Sequence, residues 1–313
     1  MPSATRLALR PCAPADTDAV LSLVNADRLP GQPTATPEML HEALAGRSPV
    51  DGGWWAELDP PATQVAARAD GTVVGVASWA LRPRDGTGLI LWLHCREDPR
   101  VADALVAGAL TALGPRPVEA FQLATALTRG VEALPRAHRE ATHAALERAG
   151  FRGEPQWRYL LVDLPAPDLP RAARVRTLPE PGDSHARRLE VRRGEAAAEA
   201  EAVIGLPVEG AGALWWIGVR PPSRRRGLGR ALLGSALDLL ASHGAREAFL
   251  YVETNTGRGG EDDRTAATAL YRSAGFREVD LLHSYVLPAP PPTAGDGLRS
   301  AYPSRAAASA ATS

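Results

Sequence analysis

The chain reads as an α/β protein of the α+β kind, built as two tandem copies of one unit. Each copy is expected to be a mixed, mainly antiparallel twisted sheet flanked by helices. Three observations predict this. Short runs of β-branched and apolar residues alternate with stripes of 3.6-residue period. Three segments recur in the same order in both halves. The stretch WWIGVRPPSRRRGLGRALL (215–233) passes from a strand through a proline pair into a helix opened by glycines, and the first half carries a counterpart of that junction.

The recurrence sets the architecture. ADALVAGALTAL (102–113) aligns without gaps on GRALLGSALDLL (229–240), VEAFQLAT (118–125) on REAFLYVE (246–253), and AALERAGF (144–151) on ALYRSAGF (269–276). The offsets are 127, 128 and 125 residues. Ala/Leu-rich helices resemble one another by chance, but three matches in register point to duplication.

The first copy reads as strand 6–10, helices 14–27 and 36–46, and strands 63–69, 72–81 and 88–95. Helix 100–113, strand 118–125, helix 136–149 and strand 157–164 follow. The second copy reads as strands 174–177, 187–193, 198–206 and 212–219, helix 227–243, strand 247–253, helix 264–274 and strand 279–287. It lacks the two early helices, since only LPEPGDSHA separates its first strands. The expected domains are therefore 1–164 and 174–287. The proline-bearing segment 165–173 links them semi-rigidly. Residues 288–313, rich in Pro, Ala, Ser and Gly, have little to bury and read as a disordered tail.

Composition narrows the function classes. The chain has 313 residues, 45% of them hydrophobic and 23% charged, with formal net charge −1. That balance disfavours general binding to nucleic acid or membrane surfaces. No lysine occurs and all 35 basic residues are arginine, a bias that lowers the weight of any one arginine cluster. Cys12 and Cys95 have neither metal-site spacing nor the number for a disulfide framework. No apolar run spans a bilayer, and the N-terminus has no secretory h-region. The expectation is a cytoplasmic protein, monomer or homodimer, with no metal.

The turn at 220–230 carries the chemistry. The first amides of a helix have no internal partner, and the helix dipole favours an anion beside them. Gly227 and Gly229 allow close approach and unusual φ, and Arg224, Arg225 and Arg226 add donors. The pattern suits a pyrophosphate, yet it is neither a Walker A loop nor G-x-G-x-x-G. Downstream, ALYRSAGF places Tyr271 on a helix that ends at Gly275.

The two motifs together resemble the GNAT acetyltransferases, over roughly 187–287 by motif and over the first copy by fold pattern alone. The length and the active second copy are similar to the tandem, mycothiol synthase-like arrangement of that superfamily. The resemblance implies acetyl-CoA as co-substrate and a primary amine, on a small molecule or peptide, as acceptor. It implies that Ile217, Gly218 and Val219 pair with pantetheine. The turn Arg224, Arg225, Arg226, Gly227, Leu228, Gly229 and Arg230 would hold the pyrophosphate, and Tyr271 would protonate the departing thiolate. The family's asparagine before the tyrosine helix is replaced by Arg264, and Asn255 stands earlier. The segment TGRGGEDD is an insertion whose Glu261, Asp262 and Asp263 could attract a cationic amine. For the general base, Glu253, Glu209 and a bound water are all open. Trp215 and Trp216 are expected on opposite faces of their strand, one toward substrate and one toward a helix. A non-catalytic acetyl-CoA-binding or scaffolding module is the alternative from another class.

The first copy has lost these groups. The 127 offset puts Arg100 and Ala102 at the glycine positions, with Glu97 and Asp98 where phosphates would sit, and the 125 offset puts Leu146 at the tyrosine. This copy is expected to be degenerate. It could instead wall the acceptor site of the second copy, with Trp54, Trp55 or Trp79 as candidate contributors.

Overall fold

A computed structural model describes residues 7–50, 52–181, 183–192, 197–254 and 265–289. The first half runs β1 (Ala8–Pro11), α1 (Thr17–Ala26), α2 (Pro37–Leu44), α3 (Gly52–Trp55), β2 (Ala62–Ala67), β3 (Val73–Arg82) and β4 (Thr87–His94). It continues with α4 (Pro99–Leu113), β5 (Val118–Ala120), β6 (Leu134–Pro135), α5 (Glu140–Arg148) and β7 (Arg152–Asp163). The second half runs β8 (Val175–Glu180), β9 (Asp183–Val191), β10 (Ala200–Val208), β11 (Ala211–Val219), α6 (Leu228–Ser242), β12 (Glu247–Glu253), α7 (Thr265–Ser273) and β13 (Arg277–Leu287). The expected elements are present; the strand expected at 118–125 stops at Ala120 because Phe121 turns left-handed, at φ 57°. The tail expected to be disordered lies outside the described residues, apart from its first two. No described helix is long and apolar enough to cross a membrane.

All strands join one sheet in the order β1-β2-β3-β4-β5-β13-β7-β12-β11-β10-β9-β8, with β6 beside β13. Only β4/β5 and β11/β12 are parallel. The two halves therefore repeat one meander, and they also repeat one irregularity. A register shift makes Leu91 of β4 an extra residue opposite β3, and another makes Trp215 of β11 an extra residue opposite β10. Such bulges bend a strand and steer it away from its neighbour.

The halves are interlocked through their last strands. β7 follows α5, yet it pairs with β12 of the second half along its whole length, from Glu247↔Asp163 to Glu253↔Trp157. β13 follows α7, yet it pairs with β5 of the first half through Tyr285↔Ala120, and its long ladder with β7 closes the sheet. Packing follows pairing. Leu160 and Val162 of β7 lie in the core beneath α6 with Leu232, Leu237 and Leu250. Tyr285 of β13 is buried in the core beneath α4, edge-on to Phe121, and its hydroxyl lies 2.8 Å from Nδ1 of His143. The other face of the first half is covered by α1, α2 and α3. The second half passes almost directly from β8 to β9, so no described helix covers the matching face.

Candidate functional site

β11 and β12 are paired only through Ala211–Ala213 and Glu247–Phe249. Beyond the bulge they diverge, so that among the described residues no strand pairs with the β12-facing edge of Ile217–Val219, while β10 holds the opposite edge. At the end of β11 the chain turns through Pro221–Ser223 into α6. Arg225 and Gly227 are left-handed, at φ 60° and 75°, so successive amides curve into a concave nest. Gly227 caps α6 with no side-chain hydrogen bond, and a Cβ there would meet nothing within 4 Å. The first amides of α6 thus face outward with no side-chain acceptor at the cap.

The four arginines of the turn divide into two pairs. Nε of Arg224 donates to Val219 O at 2.9 Å, and Nη1 of Arg230 donates to Ser273 O and Oγ, tying α6 to α7. Arg225 and Arg226 are exposed with no partner among the described residues. A hollow of about 230 Å³ lies beside the turn, bordered by Ser223, Arg226, Gly227 and Leu228. Tyr271 sits on the α7 face that meets the core beneath α6, its ring edge-on to Phe276 at 5.8 Å. The α7 helix that carries Tyr271 packs near the glycine turn, since Leu270 lies within van der Waals reach of a Cβ at Gly229, while Tyr271 itself is buried. Asn255, Glu261, Asp262, Asp263 and Arg264 lie outside the described residues.

Two expectations are corrected here. Trp215 and Trp216 do not take opposite faces. The bulge inserts a residue, so Leu214 and Ile217 both face α6 while the two tryptophans lie on the other side. Trp215 packs edge-on to Phe249 at 5.7 Å, and Trp216 is 52% exposed. Glu209 cannot be the base. It occupies the β10–β11 turn, one full strand or about 30 Å from Val219, and its carboxylate accepts from Thr34 N and Oγ1. Glu253 is half-buried at the diverging end of β12, on the face shared with Tyr251 and Trp157.

That face is walled by the first half, though not by the tryptophans expected. Trp55 is buried with Nε1 bonded to Ala124 O, Trp54 stacks under Arg84, and Trp79 lies beside the α4 core. The contributor is Trp157, carried over on β7, whose ring meets Tyr251 edge-on at 5.1 Å. Gly130 adds the loop after β5, its Cα position lying against the Trp215 ring. Nothing local in QWRYLLV marks Trp157 as a site residue, because its position depends on the strand exchange.

The matching turn of the first half is filled from within. Arg96 and Glu97 take left-handed φ of 50° and 53°, adjacent to each other rather than alternating as Arg225 and Gly227 do, and Asp98 at the cap has φ −75° where Gly227 has 75°. The amides of this turn are also closed off. Asp98 caps α4, its Oδ1 accepting from the amides of Arg100 and Val101. Glu97 accepts from Arg139 Nε at 2.6 Å and from Thr142 N and Oγ1. Burial would lower the Arg139 pKa, but Asp27 and Glu97 outweigh it and keep the guanidinium charged. Burial of the thiol pushes the Cys95 pKa up to about 11. Leu146, at the tyrosine position, is fully buried.

Residues 185–276 match the family model described as Acetyltransferase (GNAT) family. A mycothiol acetyltransferase of Clavibacter sepedonicus is 47% identical over 75 residues, 24% of this chain and 22% of that protein. One from Thermobispora bispora is 31% identical over 195 residues, covering 47% and 63%. The N-alpha-acetyltransferase RimI of Mycobacterium tuberculosis is 44% identical over 69 residues, covering 22% and 37%. The chain thus spans between about a fifth and just under two thirds of these relatives. In fold, it resembles a tandem GNAT protein from the clavulanic acid biosynthesis pathway, with TM-score 0.61, 15% identity and coverage of 91% and 99%. A GCN5-related N-acetyltransferase from Sphaerobacter thermophilus gives TM-score 0.53, 18% identity and coverage of 90% and 94%.

Proposed function

We propose, on the premise that residues 185–276 form a GNAT acetyltransferase domain, that this chain transfers acetyl from acetyl-CoA to a primary amine, with the chemistry confined to the second half. One observation carries the reading. The two halves share a strand-turn-helix junction, and only the second leaves its helix amides uncapped by a carboxylate. In this reading the pyrophosphate lies on the nest at Arg225–Gly229, with Arg225 and Arg226 as side-chain donors. The pantetheine extends along Ile217–Val219 as a surrogate strand, which points the thioester into the splay. The amine enters over the face of Trp157, Tyr251 and Trp215 and attacks the acetyl carbonyl. Glu253, directly or through water, takes the amine proton, and the tetrahedral intermediate expels the thiolate. Tyr271 then donates its proton to sulfur.

Tyr271→Phe is expected to leave the acetyl-CoA Kd unchanged and lower kcat roughly 100-fold, the usual worth of a placed proton donor. Free-thiol release measures kcat, and an unchanged value removes the assignment. The mycothiol acetyltransferase relatives make a mycothiol-type acceptor the first to assay, with a panel of other amines beside it. Thiol release with none of these amines despite tight acetyl-CoA binding would favour a binding module instead.

The bipartite acceptor wall has its own test. Trp157→Ala is expected to raise the acceptor KM about tenfold, the loss of one aromatic contact surface, with the acetyl-CoA Kd unaltered. A KM equal to that of the parent protein would make Trp157 purely a sheet residue.

A further inference from the structure

A trough of about 560 Å³ lies between the halves, lined by Arg28, Gln32 and His138 of the first and Glu209, Ala211 and Glu247 of the second. It sits at the opposite end of β11 and β12 from the glycine turn and takes no part in the acetyl transfer. A mostly apolar hollow of about 60 Å³ adjoins it where β4 leaves β5, bordered by Leu91, Leu93 and Phe121, with the buried Asp27, His94 and Arg139 also on its wall. Arg28, Leu29 and Gln32 border both. The two spaces therefore share a wall, charged on the trough side and mostly apolar beyond it.

The charges at the mouth are of opposite sign and incompletely used. Nη1 of Arg28 donates to Gln32 O at 2.8 Å and lies 3.9 Å from Oε2 of Glu209, a distance beyond a hydrogen bond. Glu209 is committed to Thr34, and His138 is paired with Asp280 through Nδ1 at 2.8 Å. The Glu247 carboxylate has no hydrogen bond or ion pair among the described residues. Directly across the ladder from it on β7 stands a second carboxylate, Asp163, and the next side chains along this face are the apolar Phe249 and Leu161.

We propose that this space binds a free α-amino acid with an apolar side chain. The carboxylate meets Arg28, the ammonium meets Glu247, and the side chain enters the hollow past Leu29. A ligand of one sign would leave the opposite charge at the mouth uncompensated. A zwitterion satisfies both with charge-assisted hydrogen bonds, and a hollow of about 60 Å³ suits one small side chain. The ligand touches both halves and therefore stabilises their junction by mass action.

Isothermal titration of the full chain with L-leucine, without acetyl-CoA, tests this. One saturable site is expected, together with a thermal midpoint that rises with leucine concentration. Arg28→Gln and Glu247→Gln, both at the solvent-facing mouth, are each expected to weaken leucine at least about tenfold. Isoamylamine and 4-methylpentanoate, which carry one charge each, and glycine, which lacks the side chain, are expected to lose as much on the parent protein. The analogues keep the test independent of the folding of either variant. No saturable heat up to about 10 mM leucine, or equal binding by the single-charge analogues, overturns the proposal. Acetyl transfer measured on the same preparation separates this outcome from failure of the enzymatic reading.

Discussion

Gly227→Asp is expected to raise the acetyl-CoA Kd about 100-fold while the protein stays folded. The substitution gives α6 the cap that Asp98 already gives α4 in the first half. A Cβ at 227 meets nothing within 4 Å, and aspartate tolerates left-handed φ better than most residues. The carboxylate should therefore satisfy the first amides of α6 and support the helix. A pyrophosphate on the same amides would lose those donors and face a like charge. Two unit charges 4 Å apart repel by about 4 kcal/mol at the effective dielectric of a protein surface. Screening at an exposed turn reduces that, and about 2.7 kcal/mol remaining corresponds to the 100-fold change. Gly227→Ala separates charge from strain, because it adds only the left-handed penalty of about 1–2 kcal/mol and should cost acetyl-CoA less than Asp. Equilibrium titration of acetyl-CoA into both variants provides the reading. Equal Kd for Asp and Ala would mean that no phosphate rests on this helix end.

The glycine turn and the repeat are legible in sequence because both are local. Gly227 and Gly229 announce a strand-to-helix junction that needs unusual backbone, and Ala/Leu periodicity reports the two equivalent helices whichever strand they cover. The missing early helices of the second half are legible for the same reason, as a segment too short to hold them. What sequence does not carry is where β7 and β13 pair. Both strands are apolar enough for either half, and the segment between them does not specify which partner they choose. One misplaced expectation at the site follows from that, and another from a local bulge. Trp157 comes to lie beside Tyr251 only because β7 crosses over. The two tryptophans of β11 share a face only because a bulge in β11 changes the parity of the strand. The turn of the first half shows a subtler limit: Arg96 and Glu97 take left-handed φ without being glycine, so positive φ is not reported by glycine positions alone. The filling of that turn by Glu97 and Asp98 is readable from their charge.

Residues 165–290 expressed alone are expected not to fold, while co-expression of 1–164 with 165–313 restores one assembled protein. In the isolated fragment β12 loses its partner over Glu247–Glu253. The core beneath α6 loses Leu160, 0% exposed in the intact chain, and Val162. Removing one buried leucine costs roughly 2–5 kcal/mol, and a whole domain is stable by about 5–15 kcal/mol. The loss of two core side chains and a central ladder exhausts that margin. β13 meanwhile exposes Tyr285, which is built to sit beneath α4 against Phe121 and His143. An apolar strand with both edges open also templates aggregation. The first half is in the same position, since β5 loses β13 and β7 is left with neither of its neighbours. Circular dichroism and size-exclusion chromatography of the single fragment, then of the co-expressed pair, give the answer. A monomeric fragment 165–290 that melts cooperatively near the midpoint of the full chain would show that β12 can close on β13 by itself, so that the exchange adds no stability. Recovery only in the pair would make the two halves one folding unit, in which the first half supplies the strand that carries Trp157 to the second.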